Sequence, residues 1–536
     1  MGTSSDLESK ATDPPVTTSD TAHGTLIETE VSSDLLAKYG QTKRGLSPRH
    51  VQLMAIGGSI GTGLFVGIGG VLSKAGPLSL FIGYLIWGIF LSGRPISLGF
   101  AMGWTYFFAG AMLVCVEYSA VATVMQYWNT SVNPAAWVAM AMIVCILLNV
   151  VAVKWYGESE FVMACTKVLL LIGLVLLTLV TMCGGNPRHD AYGFRHWGGG
   201  NAMHSYYTDG ATGRFLGIWK VILYAGFTIG GPDMIALASG EIQNPRRTIP
   251  RVAKLVFYRL VGFYVIGVFA VGIICSSTDE KLLGALNSGA AGSAASPWVI
   301  GIQNLGISGL PDLINFLILL SGWSCGNAYL YSTSRTLYGL AQDGQAPRIL
   351  LKCTKAGAPI YCVLTVSLIA CVTFLVSSNS AVEVFYWFVD LTTTGLIATY
   401  TCMLVVFLAW YKARIAQGLP TSSLSYLAPF TPYCAYFGIC LGCIAITFIG
   451  FDSFHPFSVQ GFITSYFCIP YSIILYLGWK FIKKTKFVSA EDADLVSGKK
   501  EVDEECIIWE EGGIEENYRK KLAEMPFAKR CWERIW

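Results

Sequence analysis

The chain has 536 residues, of which 53% are hydrophobic and only 13% are charged, and its mean hydropathy of +0.53 excludes an ordinary soluble globular protein. The net charge of +3 is close to balance, and no nucleic-acid partner is expected from it. The sixteen cysteines are scattered through apolar runs without a Cys/His cluster, which indicates neither a zinc site nor a disulfide framework and leaves a polytopic membrane protein as the expected class.

Composition divides the chain into three regions. Residues 1–48 are polar and poor in aromatic residues, which predicts a disordered cytoplasmic N-terminal tail. Residues 49–484 contain the apolar runs and are predicted to form the transmembrane domain in the lipid bilayer. Residues 485–536 carry an acidic cluster and are predicted to form a cytoplasmic C-terminal tail. The tails could bind trafficking or ubiquitination machinery, although a plain solvated tail is the simpler interpretation.

Apolar runs of spanning length recur along the middle region and predict transmembrane helices. Eleven runs are clear, at residues 51–72, 98–128, 134–152, 160–183, 215–239, 252–276, 312–341, 359–378, 382–411, 431–451 and 461–482. A twelfth, Leu78 to Leu91, has only 14 residues, roughly 21 Å of helix against a hydrocarbon core of roughly 30 Å. Counting it as a span places most Lys and Arg residues on the side of the tails, as the positive-inside rule requires. We therefore expect about twelve helices with both termini cytoplasmic.

Two of these helices are predicted to be broken. The stretch from Ile56 to Gly70, "IGGSIGTGLFVGIGG", holds seven glycines, and the sixth span carries Gly226, Gly230, Gly231 and Pro232 near its centre. Glycine and proline weaken a helix, and breaks at corresponding positions of two halves indicate a transporter built from inverted five-helix repeats. Close helix packing through small residues is the alternative explanation.

A broken helix exposes groups that bind charge. Free N–H groups at a half-helix N-terminus favour an anion, and free carbonyl groups at the adjoining C-terminus favour a cation. Because unpaired peptide groups are costly inside a membrane, a ligand is expected to satisfy them. An α-amino acid, with one carboxylate and one ammonium on the same carbon, is such a ligand.

Four motifs resemble those of yeast and fungal amino acid permeases, within the amino acid/polyamine/organocation transporters. They are "RHVQLMAIGGSIGTGLFVG", "LGFAMGWTYFF", "GEIQNPRRTIPRV" and "SRTLYGLAQDGQAP", and the resemblance runs from about Arg49 to Lys484. It implies a twelve-helix, proton-coupled importer with broken helices 1 and 6 and no cofactor besides the proton gradient. It also implies that the substrate carboxylate is held at Ser59, Gly61, Thr62 and Gly63, and that Phe227 is an aromatic gate next to an amino-group site at Ile229, Gly230 and Gly231.

The resemblance fails at one place. In the family the second helix continues through a Gly-Glu-Met-like stretch and a loop, whereas here "LIWGIFL" joins "SGRPISLGF" almost directly. The second helix is therefore expected to be shortened beside the first helix. An inactive variant that lacks part of this helix is one alternative to a working transporter.

Two charged residues inside predicted spans are candidates for proton coupling. Lys167 matches a lysine that some relatives have where sodium-coupled cousins bind an ion, and burial would let such a lysine exchange a proton. Snorkelling to the cytoplasmic interface is the alternative for this side chain. Glu117 in the third span could carry the proton or could pair with a hydroxyl or backbone group.

Two aspartates are candidates for substrate positioning. Asp233 follows the predicted break in the sixth span, stands where many relatives have a glutamate, and could simply cap the resumed half-helix. Asp390 could contact a substrate side chain, although a structural role beside Thr392 to Thr394 is slightly favoured.

The leading hypothesis is a secondary active transporter that imports amino acids with protons across the plasma membrane by alternating access. A receptor that binds amino acids through the same fold with little flux is the alternative. No nucleophile and base pairing, metal-ligand spacing or phosphate loop is found, so an enzyme is not expected.

Overall fold

A computed structural model describes most of the predicted transmembrane domain and small parts of the C-terminal tail. The described residues are 48–90, 99–151, 153–228, 230, 234–237, 242, 245–287, 296–354, 357–421, 430–484, 488–495, 520 and 523–526. Most of them are helical, and we number the α-helices in chain order.

The first half of the bundle contains eight α-helices and one π-helical turn. They are α1 (Pro48–Ser59), the π turn (Gly63–Gly67), α2 (Ile68–Ala75), α3 (Pro77–Phe90), α4 (Gly99–Met125), α5 (Pro134–Val151), α6 (Val153–Met182), α7 (Gly210–Thr228) and α8 (Met234–Leu237). The second half contains α9 (Pro245–Ile274), α10 (Glu280–Asn287), α11 (Pro297–Asn304), α12 (Leu310–Gln342), α13 (Ile360–Ala370), α14 (Ala381–Ala416), α15 (Tyr433–Thr447), α16 (Val459–Tyr466) and α17 (Cys468–Lys483).

The predicted runs coincide with helices or helix pairs of the described residues, so the all-α membrane fold is confirmed. Six of these helices are long and apolar enough to cross a membrane, and two bent pairs raise the number to eight. Three shorter apolar helices add to them, at Pro77–Ile86, Pro134–Val150 and Val261–Ile274. The total of twelve crossings and the inverted-repeat relation stay predictions.

Both predicted breaks are present. In the first span, the segment Leu53–Ser59 is bent by 40° from Gly63–Ala75, and the glycines at the bend sit directly against other helices, where side chains would not fit. In the sixth span, α7 ends at Thr228 and α8 begins at Met234. Pro470 accompanies an unpredicted bend of 42° between α16 and α17, because proline cannot donate the backbone hydrogen bond that a continuous helix needs there.

The break in the first span lies at the centre of the bundle. Helix α1 packs against α6, α9 and α12, while α4 packs against α12 and α14. Of the apolar window in Phe100–Met125, 94% is buried, against 39% in Tyr156–Met182 and 33% in Tyr433–Ser453. Helix α4 is therefore an inner helix, and α6 and α15 present apolar side chains outward, as a lipid-facing surface requires.

Candidate functional site

A cavity lies at the break of the first span, where α4, α7, α9 and α12 converge. Its lining includes four residues predicted as substrate-binding and one predicted for proton coupling: Ser59, Gly61, Gly63, Phe227 and Glu117. It also includes residues that the sequence interpretation missed: Gly58, Leu64, Leu113, Thr228, Tyr264, Cys325 and Tyr329. Most of these come from helices far away in sequence, so only the fold shows that they meet.

Glu117 occupies the position that was expected to hold the substrate carboxylate. Its Oε2 accepts a hydrogen bond from the Thr62 hydroxyl at 2.9 Å and a longer one from the Thr62 backbone N–H at 3.4 Å. Its Oε1 lies 2.3 Å from the point where a Cβ on Gly61 would stand. Glu117 is only 2% exposed, so a buried carboxyl group of the chain itself caps the second half of the broken helix, where helix N-termini favour a negative group.

The carbonyl groups at the end of α1 are also paired within the chain, which corrects the expectation that a ligand is needed to satisfy them. Four side chains from three other helices each donate to one of four consecutive carbonyl groups. The pairs are Lys167 to Gly57, Cys325 to Gly58 at 3.0 Å, Tyr264 to Ser59, and Ser321 to Ile60 at 3.1 Å. Each of these four carbonyl groups therefore has a donor from the chain itself within reach, although the Tyr264 hydroxyl is shared with the Thr228 carbonyl.

Tyr264 connects the two broken helices. Its hydroxyl lies within hydrogen-bonding distance of the Ser59 carbonyl in the first span and of the Thr228 carbonyl in the sixth. Since a hydroxyl has one proton, it can donate fully to only one of them at a time. The two carbonyl oxygens thus converge on one point in the cavity.

The second span also reaches the site. Tyr84 of α3 stacks on Tyr264, with ring centroids 5.9 Å apart, and its hydroxyl accepts a hydrogen bond from the Thr228 hydroxyl at 2.8 Å. On the other side of the break, Tyr224 donates to the Gly63 carbonyl at 3.0 Å. The second span therefore includes a residue beside the cavity.

The structure separates the residues that were predicted in the sixth span. Phe227 is 4% exposed and lies against Gly63, where a Cβ would stand 3.1 Å from its ring. Gly230 instead faces α14, next to Leu396 and Tyr400, and does not line the cavity. Ile229, Gly231 and Asp233 lie outside the described residues.

Lys167 lies inside the bundle rather than at an interface, because its side chain is 1% exposed and its Nζ donates to the Gly57 carbonyl. A snorkelling side chain would reach the membrane interface, so this buried position disagrees with snorkelling. The role of Lys167 in proton coupling stays a prediction. No three His, Cys, Asp or Glu side chains in the described part of the chain come together as a metal site would require.

Asp390 belongs to a second charged cluster rather than to the cavity. It interacts electrostatically with Lys220 of α7, Asp452 and Lys74. Lys220 forms an ion pair with Asp452 at 2.6 Å, and Tyr206 donates to the same carboxylate at 2.7 Å. The Thr394 hydroxyl reaches the Asp390 backbone carbonyl at 3.4 Å, so the expected threonine contact involves the backbone of Asp390. The cluster links the first, sixth, tenth and eleventh spans.

An all-helical membrane bundle with a broken central helix and a small buried cavity at the break defines a multi-pass membrane transporter. The chain belongs to the amino acid permease family, whose model matches residues 50–94 and 92–491. The match falls in two segments that meet at residues 92–94, the place where the second helix is predicted to be shortened. These residues lie outside the described part of the chain.

Curated relatives cover nearly the whole chain. It is 37% identical over 532 residues to the proline-specific permease of Emericella nidulans, with 94% of each chain covered. It is 36% identical over 515 residues to the proline-specific permease of Saccharomyces cerevisiae, covering 89% of this chain and 82% of that one. It is 35% identical over 522 residues to the dicarboxylic amino acid permease of the same yeast, covering 91% of this chain and 85% of that one. The protein is thus a membrane transporter of amino acids and not an enzyme.

Proposed function

We propose that the protein imports an amino acid together with a proton across the plasma membrane by alternating access, with both termini cytoplasmic. The observation that carries this proposal is the Glu117 carboxylate on Thr62. A substrate carboxylate needs the same donors, so two anions compete for one helix N-terminus. Protonation of Glu117 removes the competing charge and so raises the affinity for the substrate. Binding of the proton and binding of the substrate are then linked.

The lining of the cavity favours a small, uncharged amino acid. Apart from Glu117, the described side chains that line it are apolar, aromatic or weakly polar, and none of them is a lysine or an arginine. A dicarboxylic substrate would bring a second carboxylate into this apolar site without a cation, which is costly.

Proline is the first candidate within this class. The Ser59 and Thr228 carbonyl oxygens converge on the Tyr264 hydroxyl, so they can accept two N–H groups from one nitrogen. A secondary ammonium has two N–H donors, whereas a primary ammonium has a third that would need another partner in the buried site. The names of the two proline-specific relatives agree with this chemistry.

The test is uptake of radiolabelled proline, alanine and glutamate in a permease-deficient fungal host, at external pH 5 and pH 7, with binding to purified protein measured in parallel. We expect proline to accumulate, and to accumulate more at pH 5. Binding without flux would instead indicate a receptor or an inactive variant, and flux that does not depend on the proton gradient would overturn the coupling.

A further inference from the structure

A second buried carboxylate lies beside the broken helix and has no role in the mechanism so far. Glu160, on α6, is 1% exposed. Its Oε1 accepts a hydrogen bond from the Ser324 hydroxyl at 2.6 Å, while its Oε2 has no hydrogen-bond partner in the described part of the chain. An ionised carboxylate with an unpaired oxygen is costly in such a place, and buried acids in membrane spans are functional residues by default.

Glu160 and Lys167 meet at the same glycine of the broken helix. A Cβ on Gly57 would stand 2.4 Å from Glu160 Oε1, and the Gly57 carbonyl accepts the hydrogen bond from Lys167. Lys167 also interacts electrostatically with both Glu160 and Glu117. The lysine is therefore electrostatically coupled to both carboxylates.

Charge balance restricts how these three groups can ionise together. A buried ammonium needs one negative charge, whereas a second ionised carboxylate would leave the cluster with a net charge inside an apolar bundle. The neutral arrangement is thus an ammonium, one carboxylate and one carboxylic acid. In this structure Glu117 accepts two hydrogen bonds and Glu160 accepts one, so the negative charge is better satisfied on Glu117.

We propose that Glu160 holds the transported proton while Glu117 caps the empty substrate site. This inference rests on the proposed proton-coupled function. When a substrate carboxylate arrives at Thr62, the O–H bond of Glu160 breaks and an O–H bond forms on Glu117. The proton passes from Glu160 to Glu117 while Lys167 remains the neighbouring cation, so the total charge of the three groups is unchanged.

The other groups that face Glu160 do not replace it in this transfer. Helix α1 presents Gly57 to it, and α12 presents Ser324 and Asn327. Among the described residues, the thiols of Cys145 on α5 and Cys325 on α12 also interact electrostatically with Glu160, and thiols buried in apolar surroundings stay neutral.

The decisive variant is Glu160→Gln, with Glu158→Gln as the matched control. Glu158 is half-buried on the same helix, two positions away, and is not among the residues that line the cavity. In proteoliposomes we expect E160Q to retain proline exchange without a gradient but to lose accumulation driven by a proton gradient. The coupling between proton and proline affinity, about 5- to 150-fold for linked sites, should fall to about one in E160Q and stay at its wild-type value in E158Q.

A second variant keeps the proposal testable if E160Q does not fold. Ser324→Ala removes the hydrogen bond that stabilises ionised Glu160, so Glu160 keeps its proton to higher pH and the pH profile of uptake shifts upward; an unchanged profile overturns the proposal. Wild-type accumulation in E160Q, or loss of exchange in folded E160Q, overturns it as well. If wild-type accumulation ignores the proton gradient, the proposed function fails and this inference fails with it.

Discussion

Thr62 donates both its hydroxyl and its backbone N–H to one oxygen of Glu117, at 2.9 and 3.4 Å. The two residues come from different helices and are 55 positions apart in the chain. A carboxylate from the third span thus occupies the helix end that a substrate carboxylate is proposed to use.

The first prediction concerns pH. Protonation of Glu117 removes the competing anion from Thr62, so proline affinity should rise as the pH falls. In Glu117→Gln the amide mimics the protonated state, and affinity should be high and independent of pH while gradient-driven accumulation is lost. Binding to purified protein at several pH values checks both effects, and a pH-dependent affinity in E117Q would contradict the assignment.

The second prediction concerns the space at the break. An alanine at Gly61 would place its Cβ 2.3 Å from Glu117 Oε1 and 2.8 Å from Cys325 Sγ. Because both neighbours are buried in packed helices, Gly61→Ala should abolish uptake at normal surface expression. Gly173→Ala is the control, since no atom lies within 4 Å of a Cβ there, and it should transport like the wild type.

The third prediction concerns the lysine inside the bundle. Lys167→Ala should abolish proton-driven uptake while the protein still reaches the membrane, and the unpaired Gly57 carbonyl should cost about 1–3 kcal/mol of stability. Lys281→Ala, at an exposed lysine of α10, is the matched control. Uptake and thermal unfolding in detergent are the measurements, and an unchanged gradient dependence in K167A would sink the coupling role.

The fourth prediction concerns the tyrosine that bridges the breaks. In the empty site, Tyr264 donates to the carbonyl groups that are proposed to receive the substrate ammonium. Tyr264→Phe should destabilise the empty protein by about 1–3 kcal/mol, and bound proline should restore more stability than in the wild type because no hydroxyl has to be displaced. Thermal shift with and without proline measures the difference, and equal shifts would refute the displacement.

The fifth prediction concerns the second charged cluster. Lys220 and Asp452 form a 2.6 Å ion pair with side chains 21% and 17% exposed, and Tyr206 shares the carboxylate. A double-mutant cycle with Lys220→Met and Asp452→Asn should give a coupling energy of about 0.5–3 kcal/mol in thermal unfolding. Additive effects of the two substitutions would show that the contact does not stabilise the protein.

The glycine pattern was sufficient to predict where helix 1 breaks, because a helix interior rich in glycine is locally weak. It could not predict what pairs the freed peptide groups. Cys325 and Ser321 are more than two hundred residues away in the chain, and only the packing of α12 brings them to the break. The expectation of a ligand-dependent break was therefore wrong, while the location of the break was right.

Position within a predicted span explains two other misses. The predicted fifth span begins at Glu160, whereas α6 begins at Val153 and carries the carboxylate into the bundle. Asp452 lies just beyond the predicted eleventh span, so the sequence alone does not place it beside Lys220 of α7. Hydropathy averages over a window and cannot resolve on which side of a boundary a single charge lies.

Cys325 gives the protein a chemical label that requires no engineering. Its thiol donates to the Gly58 carbonyl and lies next to the glycine that faces Glu117, and because the residue is only 1% exposed, reagents should reach the sulfur when the packing around the break loosens. Mass spectrometry of the peptide that contains Cys325 would give its alkylation rate. That rate would therefore report how often the helix break opens. Bound proline should keep the site closed and so lower the alkylation rate of Cys325.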